Sequence, residues 1–156
     1  MSKSLKRVSD ALGAAGLQII PVEMADGTRT AADAAAAVGC DIDQIAKSIV
    51  LQGATSGRVV LFVTPGGRQV DLDRAAQLAG EPLGRADAAA VRAQTGFAIG
   101  GVSPVGHLTP VTTFFDAGLS AFAVVWAAAG TPRHVFAIAP DDLARISGAV
   151  VAEFAG

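Results

Sequence analysis

Cysteine is all but missing from this 156-residue chain. Cys40 stands alone, which excludes an internal disulfide framework. Histidine is nearly as scarce: His107 and His134 lie far apart, and with one cysteine they do not make a metal-ligand set. No metal and no cofactor is therefore expected. Long apolar runs are lacking as well. The longest, Ala121 to Ala129, is too short to cross a bilayer. The basic start MSKSLKRVSD is not followed by the apolar stretch of a secretory signal. A soluble, cytoplasmic protein without membrane contact is the expectation. There is no excess of positive charge either: the formal net charge is −2, the pI about 5.5, and the cations are scattered singly. That argues against gripping long nucleic acid by electrostatics, yet leaves room for contact with one nucleic-acid end.

Familiar catalytic signatures are absent too. In GVSPVG an extra residue separates Ser103 from Gly106, and Pro104 ill suits the turn of a nucleophile elbow. IAKS resembles the end of a phosphate-binding loop, but Ala46 stands where glycine is required. TAADAAAAVGCDIDQIAKSI has the outline of a helix-turn-helix. Its second helix, however, would carry Asp41 and Asp43 against one cation and repel phosphates, so DNA is not an expected partner.

What is present reads as one globular domain spanning residues 1–156, with 51% hydrophobic and 17% charged residues. Leu5, Val8, Leu12 and Ala15 at helical spacing, stopped by Gly16, predict a first helix. LQIIPVEM predicts a strand interrupted by Pro21. Thr30 followed by Asp33 resembles a capping box ahead of an alanine-rich helix ended by Gly39. A turn of helix over 41–46 leads into a strand over 47–52, a GATSG hairpin and the returning strand RVVLFVT. Asp71 and Asp87 are placed to cap helices through Leu78 and Gln94. TGFAIGGVSPVGHLTP is too rich in glycine and proline to be regular. VTTFF, AFAVVWA and RHVFAIA predict three strands, PDDLARI a helix opening on Pro140, and AVVAEF a last short strand. Without a strict βαβ rhythm, the fold class expected is α+β, a mixed or antiparallel sheet, barrel-like in one version, flanked by helices.

Lysine is the residue whose scarcity is informative. Only Lys3, Lys6 and Lys47 occur, so Lys47 is the one lysine in the body of the chain, set among Ile45, Ala46, Ile49 and Val50. Two readings are open: a stem packed on apolar neighbours with its ammonium in water, or a cation at a pocket edge for a phosphate or a developing ester oxyanion. IGGVSPVG, residues 99–106, has two as well: a tight structural loop, or backbone N–H groups presented to an oxygen ligand. Asp116 in FFDAGL is a turn residue or a carboxylate orienting Lys47 or a substrate group. His134 is a satisfied strand histidine or a polar group in a pocket. Trp126 and the phenylalanines read as core.

Taken together, TAADAAAAVGCDIDQIAKSIVL, TGFAIGGVSPVGH, FFDAGL and AAAGTPRHVFAIAPDDL resemble, in order and spacing from about residue 28 to 146, the YbaK/ProX family of aminoacyl-tRNA deacylases. These are free-standing relatives of the editing domain of bacterial prolyl-tRNA synthetases. The resemblance implies a hydrolase that removes a wrongly attached amino acid from tRNA. It gives Lys47 the role of binding the terminal adenosine region and steadying the reacting ester. It places Gly100 and Gly101 with their amides near the aminoacyl carbonyl, and implies substrate contacts for Ser103, Pro104, Asp116, His134 and Thr30. An activated ester needs positioning, oxyanion donors and a water rather than a metal or a Ser-His-Asp triad. Ser48 stands where alanine-selective members carry asparagine, and AGTPRH lacks the turn of the cysteine-selective branch. The implied substrate is a small noncognate residue (alanine, cysteine or 2-aminobutyrate) on proline tRNA, held by its CCA end, with prolyl-tRNA synthetase as a possible partner. A noncatalytic module of the same fold that binds a tRNA end or a synthetase is the alternative.

Overall fold

The computed structural model describes residues 2–25 and 30–156. Helix α1 (Lys3–Ala14) is capped by Ser2, whose hydroxyl accepts from the Leu5 N–H, and buries Leu5, Val8 and Leu12 as their spacing predicts. The strand expected in LQIIPVEM shrinks to β1 (Val22–Glu23). Helix α2 (Ala31–Val38) starts at Thr30, which accepts from the Asp33 N–H at 3.1 Å, and ends on Gly39 in the left-handed region. A 3-10 turn (Ile42–Gln44) enters the long strand β2 (Ile45–Gly53), which returns as β3 (Val59–Pro65). Helices α3 (Leu72–Ala79) and α4 (Ala88–Thr95) follow Asp71 and Asp87; Asp71 caps its helix by accepting from the Asp73 and Arg74 N–H groups, whereas Asp87 makes no side-chain cap bond. Between them lies β4 (Leu83–Arg85), a strand the sequence reading did not contain.

After the irregular 96–111 segment come β5 (Thr112–Asp116), a 3-10 turn (Ala117–Ala121), β6 (Val125–Ala128) and β7 (His134–Ile138). Helix α5 (Pro140–Ile146) and β8 (Val150–Ala152) complete the chain. AFAVVWA thus yields a strand only in its second half, because Asp116 draws the chain after β5 into a 3-10 turn by accepting from the Gly118 N–H.

The strands form one mixed sheet in the order β1-β7-β6-β2-β3-β5-β8, with β4 joined to the far end of β2. The β2–β3 pair is antiparallel, whereas β2–β6, β3–β5 and β5–β8 are parallel. The path is open: β1 and β8 are its edges, so the barrel-like version of the expectation gives way to an open sheet. β3 is buried along its whole length and its residues alternate between two cores. Val59, Leu61 and Val63 join α1, Phe97, Phe115 and Phe136 on one face. Val60 and Phe62 join α3, Phe114 and Phe154 on the other. There Phe62 stacks on Phe114 and meets Phe154 edge-on, with ring centroids 5.4 and 5.0 Å away.

β2 belongs to both cores by the same alternation. Ala46 and Val50 face the larger one, Ile49 and Leu51 the smaller. Ser48 therefore points to the first face and Lys47 to the second.

Candidate active site

A cavity of about 660 Å³ opens alongside β2, within the size range of small-molecule sites. Ala46, Lys47, Ser48 and Val50 form one wall. Ala86, Val91 and Val102 close it from the larger core's side, and Thr30, Ala31 and Gly66 from the other. Trp126, Thr131 and His134 border it across β6 and β7.

Lys47 is half-buried, and its ammonium donates to the Gly66 carbonyl at 3.3 Å and the Arg68 carbonyl at 2.9 Å. It neither floats in water nor sinks into apolar core. Desolvation by burial pushes its pKa below the ordinary lysine value, and the Asp43 carboxylate partly restores it. The same loop is tied down a second time, since Asp43 accepts from the Gly67 N–H at 2.9 Å. Gly66 must be glycine here: a Cβ would stand 2.4 Å from the Ile42 carbonyl oxygen.

Gly100 borders the cavity, with φ at +94°, a conformation glycine adopts without steric cost. Gly101 is buried, and its N–H already donates to the Ala98 carbonyl at 3.1 Å. Of the two glycine amides expected near the aminoacyl carbonyl, that of Gly100 has no main-chain partner among the described residues. Gly101 acts by closeness instead, because a Cβ there would lie 3.0 Å from the Thr131 backbone. The Thr131 hydroxyl contacts His134 Nδ1 at 2.6 Å and accepts from the His134 N–H at 3.1 Å. Loop and histidine are therefore set against each other through one threonine.

Three expected contacts lie elsewhere. Ser103 is fully buried; its hydroxyl accepts from the Val105 N–H and its carbonyl meets His107 Nε2 at 2.7 Å. Pro104 is buried in the same loop and borders a second, separate cleft. Asp116 is 3% exposed and accepts three main-chain N–H bonds, from Gly118 at 2.8 Å, Phe154 at 3.0 Å and Ala155 at 2.9 Å. These bonds give Asp116 the turn role, and it makes none with Lys47. Thr30 does border the cavity while capping α2.

The loop over 96–106 is held from outside by Arg7 of α1. Its guanidinium lies 4.6 Å from the Phe97 ring centroid and donates to the Gly96 and Gly106 carbonyls at 2.8 and 3.1 Å.

Three wall residues were missed. Trp126 was read as core but is half-buried against the cavity, its neighbours Val125 and Ala127 taking the buried positions of β6. Arg85, exposed at the end of β4, brings a second cation; no acidic side chain borders the cavity among the described residues. Ser48 carries the one buried side-chain oxygen without a hydrogen-bond partner among the described residues. Such a group costs about 1–3 kcal/mol unless something satisfies it. The alternation of β6 and of β2 hinted at Trp126 and Ser48 only in retrospect, since both depend on which strands lie alongside.

The family profile described as "Aminoacyl-tRNA editing domain" matches residues 25–146. A solved structure described as a "putative trans-editing enzyme for prolyl tRNA synthetase" is 44% identical, with a TM-score of 0.92, covering 100% of this chain and 99% of its own. Another, of a hypothetical protein, is 30% identical with a TM-score of 0.87, covering 96% of this chain and 99% of its own. Among curated proteins, the uncharacterized protein YwhH of Bacillus subtilis (strain 168) is 29% identical over 125 residues, covering 80% of this chain and 79% of its own.

Proposed function

The chain belongs to the aminoacyl-tRNA editing domain family, and from that premise we propose that it is a trans-acting deacylase that hydrolyses small noncognate aminoacyl groups from proline tRNA. The observation carrying this reading is one cavity that gathers Lys47, Gly100 and His134 with no acidic side chain on its wall among the described residues. Its volume exceeds what an alanyl or cysteinyl group fills, leaving space for the terminal adenosine that carries it.

The reaction needs little from the protein. Water adds to the acyl carbon, the carbonyl oxygen becomes an oxyanion, and the bond to the ribose oxygen breaks. The ribose oxygen takes up a proton and the free amino acid leaves. Lys47 supplies positive charge near this site, and the Gly100 N–H, at the cavity border and without a main-chain partner among the described residues, donates to the developing oxyanion. The neighbouring ribose hydroxyl positions the water, so no protein nucleophile is called for. Thr131 fixes His134 through Nδ1, and among the described residues Nε2 has no protein partner and is left for the substrate. The similarity to a structure described as serving prolyl tRNA synthetase supports proline tRNA as the carrier and that synthetase as a partner.

A panel of proline tRNAs charged with alanine, cysteine, 2-aminobutyrate, serine and proline tests the reading. Hydrolysis of a small noncognate member with prolyl-tRNA spared is expected. Binding of the charged tRNA with no hydrolysis of any member would leave a noncatalytic tRNA-end module in its place.

A further inference from the structure

The sheet is interrupted beside the cavity. β6 pairs with β2 only at Ile45 and Ala46, and β4 pairs with it only from Leu51 to Gly53. Among the described residues, 47–50 have β3 on one side and no strand on the other. The direction of their main-chain groups follows from the hairpin. The Gly53 N–H donates to the Arg58 carbonyl, across a β2–β3 register that runs without a bulge from Gln52 to Ala46. Main-chain groups of alternate residues on an antiparallel strand face opposite sides. Gly53, Leu51, Ile49 and Lys47 therefore turn theirs to β3, while Ser48 turns both its N–H and its C=O away, into the gap. Among the described residues neither group has a main-chain partner outside the ladders, and both ladders stop short of it. The Ser48 hydroxyl is unpartnered as well. Among the described residues, one residue on the cavity wall thus turns an unmatched donor and acceptor into the gap, with a buried, unpartnered hydroxyl beside them.

We propose that the amino acid of the substrate fills this gap as a one-residue strand. Its α-ammonium donates to the Ser48 carbonyl, its ester carbonyl accepts from the Ser48 N–H, and the Ser48 hydroxyl turns to the ammonium as a second acceptor. An α-aminoacyl ester carries its donor and its acceptor on adjacent atoms, as a strand residue does, so both bonds form together. This rests on the editing reading and assigns the subsite that recognises the α-amino group. The N–H also polarises the carbonyl that water attacks, joining Gly100 and Lys47 around the same oxygen. Side-chain selection then falls to the apolar wall, since the main chain reads only what every amino acid shares.

The test compares alanyl-tRNA with propionyl-tRNA, which lacks only the α-amino group, each rate divided by the spontaneous hydrolysis of the same ester. That normalisation removes the intrinsic activation an ammonium gives its ester. A catalytic ratio at least tenfold lower for propionyl-tRNA is expected. In parallel, 3′-deoxy-3′-(alanylamino)adenosine, which cannot be hydrolysed, should shift the Ser48 amide proton downfield and slow its exchange, and the propionylamino analogue should not. Ser48→Ala should cut the alanyl rate several-fold with its melting temperature unchanged or raised, because it deletes an unpartnered buried hydroxyl. Equal ratios for the two esters, or an unmoved Ser48 amide while Gly100 shifts, would overturn the subsite and leave the deacylase standing. Absence of hydrolysis of both esters would remove the deacylase reading and this subsite with it.

Discussion

Replacing Asp116 by alanine should unfold this protein more readily without touching its chemistry. The carboxylate is 3% exposed and binds three main-chain N–H groups, two of them 38 and 39 residues away at Phe154 and Ala155. It thereby fastens the C-terminal segment, with Phe154 packed on Phe62, to the end of β5. A hydrogen bond to a charged group contributes about 1.5–3 kcal/mol. Three that share one carboxylate are not additive, and water reaches the two part-buried amides in the variant. The loss should be on the order of 3–5 kcal/mol. At about 2–4 °C per kcal/mol for a chain of this length, melting falls by roughly 6–20 °C. Asp116→Asn keeps an oxygen acceptor but turns an NH2 toward amide donors, so it should fall between. Urea unfolding measures the loss as a lower midpoint at unchanged slope. Deacylation per folded molecule, measured well below the variant's transition, should stay within about twofold of wild type. A variant that melts within 2 °C of wild type yet has lost deacylation would refute the reasoning and return Asp116 to the substrate.

Arg7→Ala should cost about 2 kcal/mol, from two hydrogen bonds and the contact with Phe97. Amide exchange should rise across residues 96–106 more than in β3. Gly101→Ala should push the Thr131–Pro132 backbone away and displace His134, lowering kcat at least tenfold with a smaller loss of stability; an unchanged rate would show that the close approach is dispensable. His107 sets a pH dependence. Burial, opposed by the Ser103 carbonyl and aided by Arg7, depresses its pKa below the ordinary 6.5. The folded state thus resists a proton that the unfolded chain accepts near pH 6.5. Its contribution is fully present above that pH and is lost as pH falls toward the lower folded value. Urea midpoints across pH 5–8 should show that decline, flattened in His107→Gln.

Much of the fold was legible because its signals are local. Thr30, Gly39, Asp71 and Pro140 each act on neighbours within a few residues, and the elements begin and end where they stand. β4 was missed because Leu-Gly-Arg has no alternation to read; it exists through pairing with a strand 30 residues earlier. Lys47 stood out by rarity, and the structure does bring it to one cavity with Gly100, Thr30 and His134. What it bonds to, the carbonyls of Gly66 and Arg68, depends on a loop across the hairpin. Ser103 and Asp116 looked chemical, and in the structure their side chains accept from main-chain N–H groups instead, because a polar side chain in a tight loop serves buried amides as readily as a ligand. Ser48 went the other way. Nothing in I-A-K-S-I tells that the strands on its far side stop on either side of it.

The most direct test is single-turnover deacylation of proline tRNA carrying a small noncognate amino acid, by wild type and by Lys47→Ala, with the variant's folding verified by its urea midpoint. The expected variant is folded, still binds the charged tRNA and hydrolyses it at least about a hundredfold more slowly. A folded Lys47→Ala protein with the wild-type rate would contradict this, because the charge on the cavity wall would then have no part in breaking the ester.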